Sequence, residues 1–399
     1  MQEYGPCAGG FVQTGPDSLS QAAQVHTIGR VIERSLRFEE GVAAAPRPGP
    51  TREMLRCSCM VAGLAMLALL TLDPPQAFLK GQLHLHSNRS SDSDTAPAEV
   101  VRWYAAHGYD FIVFTDHNRV TVEPSTPTLL VIPGVELTQN SERCTPPPPP
   151  GRRCLLHVNA LFVTPPFLGL IPWGPAPSSG RAEIYRRAIV AARRMGGLAQ
   201  LNHPNFHYGA DGPLVATLAR DGLTLLEIAN RSWDSNDVPD EKGRPSSEAI
   251  WDAALTAGAT VYGTATDDAH HYFDAAAARS HGEAVFPGDL GFVMVRARKE
   301  PAAIRAALER GDFYASTGVL LRRIDRTDAR IEIEVDDRSP GALRFEFVGA
   351  GGKILATAVG RRASFALAGA RGGYVRPVII DGAGRRAWVQ PIRVSAQGN

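Results

Sequence analysis

Short apolar runs that alternate with helical patterns, and that end in titratable residues, most constrain the fold open to this sequence. From Lys80 to about Arg298 the runs Gln82–His86, Phe111–Thr115, Leu129–Ile132, Leu155–Val163, Leu198–Asn202, Leu223–Ala229, Thr260–Ala265 and Phe292–Val295 read as strands. Helical patterns at Ala96–His107, Arg181–Met195 and Ser246–Ala257 fall between several of them, and Pro301–Arg310 follows the last. Such alternation predicts parallel strands in an α/β barrel or sheet. Polar residues gather where the strands end, which is the active face of a barrel of this kind. After Gly318 strand-like segments follow one another without a helical pattern, which predicts a small all-β, sandwich-like domain over residues 319–399.

Composition narrows the function. Lys+Arg at 42 against Asp+Glu at 41 leaves a net charge of +1, which argues against a nucleic-acid partner or a polybasic membrane binder. With 44% hydrophobic and 21% charged residues, the chain has material for a substantial core. Five cysteines without a CxxC pair exclude the familiar cysteine zinc modules. Cys144 and Cys154 flank five consecutive prolines and are placed to close a short ring in an oxidising compartment.

The first 53 residues are poor in large apolar side chains and read as a poorly ordered tail. Residues 54–77 follow a different pattern: Arg56, an apolar run from Met60 to Leu72, then Asp73-Pro-Pro-Gln-Ala77. These are the features of a secretory signal peptide. The run is too short for a stable membrane span, which needs about 20 residues. Export to the periplasm or beyond is therefore expected, the alternative being anchorage by an uncleaved segment. No feature specifies an oligomeric state.

Chemistry concentrates at the strand ends. His84 and His86 lie two apart on a strand and so face one side, with Asp92 and Asp94 on the following loop. Phe111–Thr115 ends in Asp116-His117-Asn118, and Leu129–Ile132 runs into Pro133-Gly-Val-Glu136. His157 interrupts Leu155–Val163, His203 ends Leu198–Asn202, and Asp268 and His270 follow Thr260–Ala265. A single His-x-His is commonplace; five or six strand ends of this kind are not. Imidazole and oxygen donors without thiolates suit Zn²⁺, Mn²⁺ or Fe²⁺.

In these motifs the chain resembles the PHP (polymerase and histidinol phosphatase) superfamily. His84-x-His86-Ser87, Thr115-Asp116-His117, Gly134-Val135-Glu136, Asn202-His203-Pro204 and Asp268-Ala269-His270 follow that family's order. The likeness covers Lys80 to Gly318. Val100–Asp110 and Gly311–Gly318 look most like the carbaryl-hydrolase-like (CehA/McbA) branch. The resemblance implies a distorted (β/α)7 barrel over residues 78–318 holding two or three divalent ions. By position, His84, His86, Glu136 and Asp268 would hold one ion, Glu136, His157 and His203 a second, and Asp92, His117 and His270 a third. Two departures stand out: Gln82 replaces the usual aspartate before His84, and Ser91 occupies the usual place of the loop aspartate, one residue before Asp92.

The expected activity is metal-dependent hydrolysis of a small molecule, with a metal-bridging hydroxide as nucleophile and no catalytic side chain. A positively charged cavity favours a phosphate ester; the branch resemblance suggests a carboxyl ester, carbamate or amide; a secreted non-catalytic binding protein is the third reading. A phosphate pocket should supply Arg or Lys, an ester pocket Phe, Trp and Leu. His207, Asn230 and Arg231 lie near strand ends as candidate substrate contacts, and Asp116 is placed to orient His117.

Overall fold

Helix starts follow local rules in the computed structural model, which describes residues 77–164, 173, 179–231, 244–282, 285–370 and 372–394. Expectations for residues 1–76, which take in the whole predicted signal segment except Ala77, therefore lie outside the described residues. In chain order the first part runs β1 (Phe78–Gln82), α1 (Pro97–Ala106), β2 (Phe111–Val113), β3 (Leu130–Ile132), β4 (Gly134–Ser141), β5 (Cys154–Leu161), α2 (Arg181–Arg194) and β6 (Leu198–Leu201). Then come α3 (Gly212–Arg220), β7 (Leu225–Asn230), α4 (Ser247–Thr256), β8 (Tyr262–Thr266), α5 (Ala275–Ser280), β9 (Phe292–Arg296), α6 (Pro301–Arg310) and β10 (Phe313–Ser316). Pro97 and Pro301 occupy first-turn positions, where the missing N–H costs nothing. Asp211 and Ser246 cap α3 and α4, accepting from Leu214 N at 2.9 Å and Ala249 N at 3.1 Å.

Strand directions depart from the all-parallel expectation. β1 pairs parallel with β2, and β2 with β3, but β1 pairs antiparallel with β9 and β9 with β10. In a separate five-stranded sheet, β4, β5 and β6 are antiparallel neighbours, while β6, β7 and β8 run parallel. The proline-rich link between β4 and β5 holds no described helix, and strands joined without a crossover helix pair antiparallel. The two sheets meet at single bridges, Leu85 with Ala269 and His117 with Glu136, rather than along continuous ladders. The architecture is thus mixed α/β, and no closed barrel forms among the described residues.

The C-terminal strands are β11 (Leu321–Arg326), β12 (Arg330–Val335), β13 (Arg344–Gly349), β14 (Lys353–Val359), β15 (Arg362–Ala366), β16 (Gly373–Ile380), β17 (Arg386–Val389) and β18 (Ile392–Val394). They do not form a detached sandwich. β17 pairs with β10, so one sheet runs β14-β13-β16-β17-β10-β9-β1-β2-β3, with β18 beside β16. The three-stranded sheet β11-β12-β15 packs against it, stacking Phe365 on Phe347 with centroids 5.0 Å apart. Composition after Gly318 signals strands, but the partner of an edge strand is a long-range choice.

Three apolar clusters hold this unit together. One fills the space between the two larger sheets with Phe111, Ile132, Leu161, Leu198, Leu225 and Val293, each from a different strand or its end. All are essentially shielded from water, and side chains of this size contribute roughly 1.5–3 kcal/mol each when fully buried. Gly81 makes room for Phe111: a Cβ there would fall 2.0 Å from the ring. Leu83 and Leu85 pack into apolar clusters, and the intervening His84 and His86 are also fully buried.

Candidate metal centre

Glu136, on β4, lies at the middle of five histidines. Its Oε1 is 3.3 Å from His84 Nε2, 3.1 Å from His157 Nδ1 and 3.7 Å from His203 Nε2. Its Oε2 is 2.6 Å from His117 Nδ1 and 3.8 Å from His86 Nε2. Asp268 Oδ1 lies 3.2 Å from His84 Nε2 and 3.0 Å from His86 Nε2. Asp92 Oδ2 closes the other side, 3.0 Å from His117 Nε2 and 3.5 Å from His270 Nε2. His203 and Asp268 carry φ of 28° and 52°, left-handed values that side-chain-bearing residues adopt at a cost.

Nine residues singled out by the sequence therefore converge. Their ligand atoms fall into three groups: His84, His86 and Asp268; Glu136, His157 and His203; and His86, Asp92, His117 and His270. His86 belongs to two groups, a sharing the family pattern does not give. Asp92 reaches His117 and His270 although it stands one residue later than the pattern, and its side chain is 45% exposed.

The donor chemistry fits divalent ions. His84 Nε2, His86 Nε2 and His157 Nδ1 are buried and have no hydrogen-bond partner, although carboxylate oxygens lie 3.0–3.3 Å away. A buried polar atom without a partner is costly, about 1–3 kcal/mol. A cation coordinated between nitrogens and carboxylates removes that cost, and the donor set of imidazole and oxygen suits Zn²⁺, Mn²⁺ or Fe²⁺.

Charges in the metal-free cage are mutually adjusted. Burial disfavours a proton on His117, but Glu136 and Asp92 outweigh it and push it up to about 10. Burial, with His270 and His117 alongside, pushes His86 down to about 4. Burial also opposes ionisation of Glu136 and Asp268, yet the surrounding imidazoles hold both carboxyls well below their ordinary range.

A further carboxylate escaped the sequence reading. Glu227, fully buried on β7, receives His84 Nδ1 at 2.6 Å, His203 N at 2.6 Å, Thr266 Oγ1 at 2.7 Å and Asn230 Nδ2 at 3.1 Å. Its signal was present: a lone charge inside the apolar run Leu225-Leu226-Glu227-Ile228-Ala229. Asn202 and Thr138 were missed as well; Asn202 donates to Glu136 Oε1 at 2.8 Å, and Thr138 Oγ1 lies 2.7 Å from His117 Nδ1.

Other candidates fall elsewhere. Asp116 does not orient His117; it accepts from the backbone and hydroxyl of both Ser87 and Ser90 and from the Thr121 hydroxyl, fastening the loop after His86. Gln82 turns from the cage, donating to Asp267 Oδ2 at 2.6 Å and to Gly291 O at 2.9 Å. Asn230 lines the cage cavity and donates to Asp268 Oδ2 at 3.0 Å. Arg231 instead lines a second cavity, and His207 meets the backbone of Arg153 at 3.3 Å in the turn after His203. Cys144 and Cys154 are joined in a disulfide that ties the ends of the proline-rich link.

A cavity of about 260 Å³ opens on the cage. Leu155, Phe206 and Phe286 form its apolar wall, Asn140 and Asn230 its neutral polar wall, and no Lys or Arg lines it among the described residues.

No protein-family model and no curated protein matches this sequence. Among solved structures, the chain is similar to a two-domain protein from Bacteroides vulgatus ATCC 8482 containing a predicted PHP-like metal-dependent phosphoesterase. That likeness has 17% identity and a TM-score of 0.43, and covers 77% of this chain and 92% of the other. It is also similar to an amidohydrolase from Chromobacterium violaceum with bound sulfate and no metal, at 16% identity and a TM-score of 0.29, covering 48% of this chain and 87% of that one. At these scores neither likeness bears on chemistry, which the side chains themselves must carry.

Proposed function

We propose that the chain is a metal-dependent hydrolase of PHP type acting on a small phosphate ester. The observation that carries this reading is the convergence of three ligand groups on Glu136 at a cavity floor. His84, His86, Asp92, His117, Glu136, His157, His203, Asp268 and His270 are the residues that would hold the ions. When bound, divalent ions supply Lewis acidity and make water a nucleophile near neutral pH. The protein's own part is to fix the imidazoles and to exclude bulk water. Glu227 holds the ring of His84, Thr138 that of His117, and Ser90 Oγ lies 2.9 Å from His86 Nδ1. Three ions would bring six positive charges against the four carboxylates Asp92, Glu136, Glu227 and Asp268; the surplus of two favours a phosphoryl group, whose charge is spread over several oxygens. Residues 78–318 form the hydrolase body in this reading, and 319–399 a β appendage.

The cavity wall favours a second reading, a carboxyl-ester or carbamate hydrolase. Leu155, Phe206 and Phe286 can seat an apolar group, and no described lining residue offers a cation to a phosphate. Matched nitrophenyl phosphate and nitrophenyl acetate, assayed with Mn²⁺ or Zn²⁺, separate the two. A higher kcat/KM for the phosphate, lost in His203→Ala, supports the first reading. An acetate preference of about tenfold or more, reduced by Phe286→Ala, establishes the second.

We also propose export. Among the described residues no helix is long and apolar enough to cross a membrane. Cleavage near Ala77 or Phe78 would leave β1 whole, since that strand begins at Phe78. N-terminal sequencing of the mature protein tests this; an intact segment from Met54 onward in the mature chain rejects it.

A further inference from the structure

We propose that a second cavity, between the end of β7, the start of α4 and the turn joining β16 to β17, binds a small organic anion of the aromatic-carboxylate class. It measures about 430 Å³, larger than the cavity over the metal cage. Arg231, Arg385 and Arg386 line it against one carboxylate, Glu248, and Ile228, Leu290 and Trp388 supply apolar wall.

The guanidinium groups of Arg385 and Arg386 are already held in place. Arg385 Nε lies 2.6 Å from Asp381 Oδ2, and Asp381 in turn accepts from the backbone of Ala383 and Arg385, which stiffens the turn. Arg386 Nη1 lies 2.7 Å from Glu248 Oε2. A guanidinium has five N–H donors in a fixed fork, so one anchoring contact orients the group without using it up. Both side chains remain more than two-fifths exposed. Glu248 is shared, its other oxygen lying 2.9 Å from Nη1 of the buried Arg376.

Trp388 gives the independent observation. It is 4% exposed, and its Nε1 is buried with no hydrogen-bond partner. An indole N–H is a donor only, so the partner it lacks is an acceptor, a role open to a carboxylate bound against this wall. The Arg386 guanidinium carbon lies 6.0 Å from the Trp388 ring centroid, so charge and aromatic surface occur side by side. The start of α4, capped by Ser246, adds partial positive charge to the same wall. Bare inorganic anions would leave Ile228, Leu290 and the indole face unused; a ring bearing a carboxylate uses both kinds of wall.

The site is distinct from the metal cage. Asn230 lines the cage cavity and its neighbour Arg231 lines this one. Strand β7 therefore separates the two ligands.

Calorimetric titration of the metal-loaded full chain with benzoate, and separately with sulfate, tests the assignment. Benzoate is expected to bind the native protein more tightly than sulfate does. Arg385→Gln should weaken benzoate about tenfold, and Trp388→Phe, which keeps the ring but removes the donor, should weaken it severalfold. Glu136→Gln, an isosteric change in the cage, should leave benzoate binding intact. Binding lost in Glu136→Gln but kept in Arg385→Gln would place the anion in the cage and overturn the proposal. Equal affinity for sulfate, or no binding of benzoate at millimolar concentration, overturns it as well.

Discussion

Glu227 Oε1 lies 2.6 Å from Nδ1 of His84, while Nε2 of the same ring faces Glu136 and Asp268 at 3.3 and 3.2 Å. The ring is thus held from one edge and offered from the other. A carboxylate so placed fixes the tautomer and raises the basicity of the ligand nitrogen, and losing it typically costs 10–100-fold in metal affinity or activity. Glu227→Gln should therefore lower metal retention and hydrolysis by roughly that factor while the fold persists. Elemental analysis after dialysis, alongside circular dichroism, measures both; undiminished metal in this variant would remove Glu227 from the centre.

Metal uptake should release protons. In the metal-free protein His117 is pushed up to about 10, because Glu136 and Asp92 outweigh its burial. It is therefore protonated at neutral pH, and a metal must displace that proton. Affinity should rise with pH until about 10, where His117 has lost its proton. Stability of the metal-free protein runs the other way. A pKa raised on folding gives a contribution fully present below about 6.5 and lost as pH rises through about 10. Thermal melts of stripped protein across that range, with indicator-dye titrations of metal uptake, check both signs; pH-independent uptake would contradict them.

Asp252 on α4 and Arg376 on β16 form a buried bidentate pair, Nε to Oδ1 at 2.7 Å and Nη2 to Oδ2 at 2.5 Å, with the Tyr374 hydroxyl also on Oδ1 at 2.6 Å. Arg376 is 1% exposed. Removing Asp252 leaves the buried guanidinium with Glu248 alone, 2.9 Å from Nη1, and breaking a buried pair costs up to about 3–5 kcal/mol. Asp252→Ala should lose that much in urea unfolding, and the double variant Asp252→Leu/Arg376→Met much less. Equal losses in the two would show that packing, not charge, sets the cost.

The disulfide between Cys144 and Cys154 closes a ring whose ends are 10 positions apart. By the chain-entropy estimate such a ring contributes roughly 3 kcal/mol. Cys144→Ser/Cys154→Ser should lower stability by about that amount. Alkylation mass spectrometry before and after reduction should find these two thiols protected until reductant is added; free thiols in the native protein would refute the bridge.

The sequence by itself determined the strand-end pattern, and with it the nine residues that gather at the cage, because both signals are local. An apolar run needs only its own residues to declare a strand, and a histidine or carboxylate at its end is read off directly. Helix starts at Pro97, Ser246 and Pro301 were legible for the same reason: the signal acts within one turn, whereas α3, capped by Asp211, was not read from the sequence. Strand direction was not. β9 and β10 are antiparallel although α6 lies between them, because pairing is chosen by distant strands rather than by the connecting segment. The same long-range choice joined β17 to β10, so that β13, β14, β16 and β17 extend the sheet of β1 while β11, β12 and β15 form a sheet of their own. Tertiary structure also decided which polar residues reach the cage. Glu227 on β7 meets His84, just beyond β1, a relation between residues 143 positions apart on strands of different sheets. Arg231, one residue beyond Asn230, lines another cavity, at the end of a strand whose register shifts between Glu227 and Ala229. Residue types set which chemistry was possible; the assembly of strands set which of those residues meet.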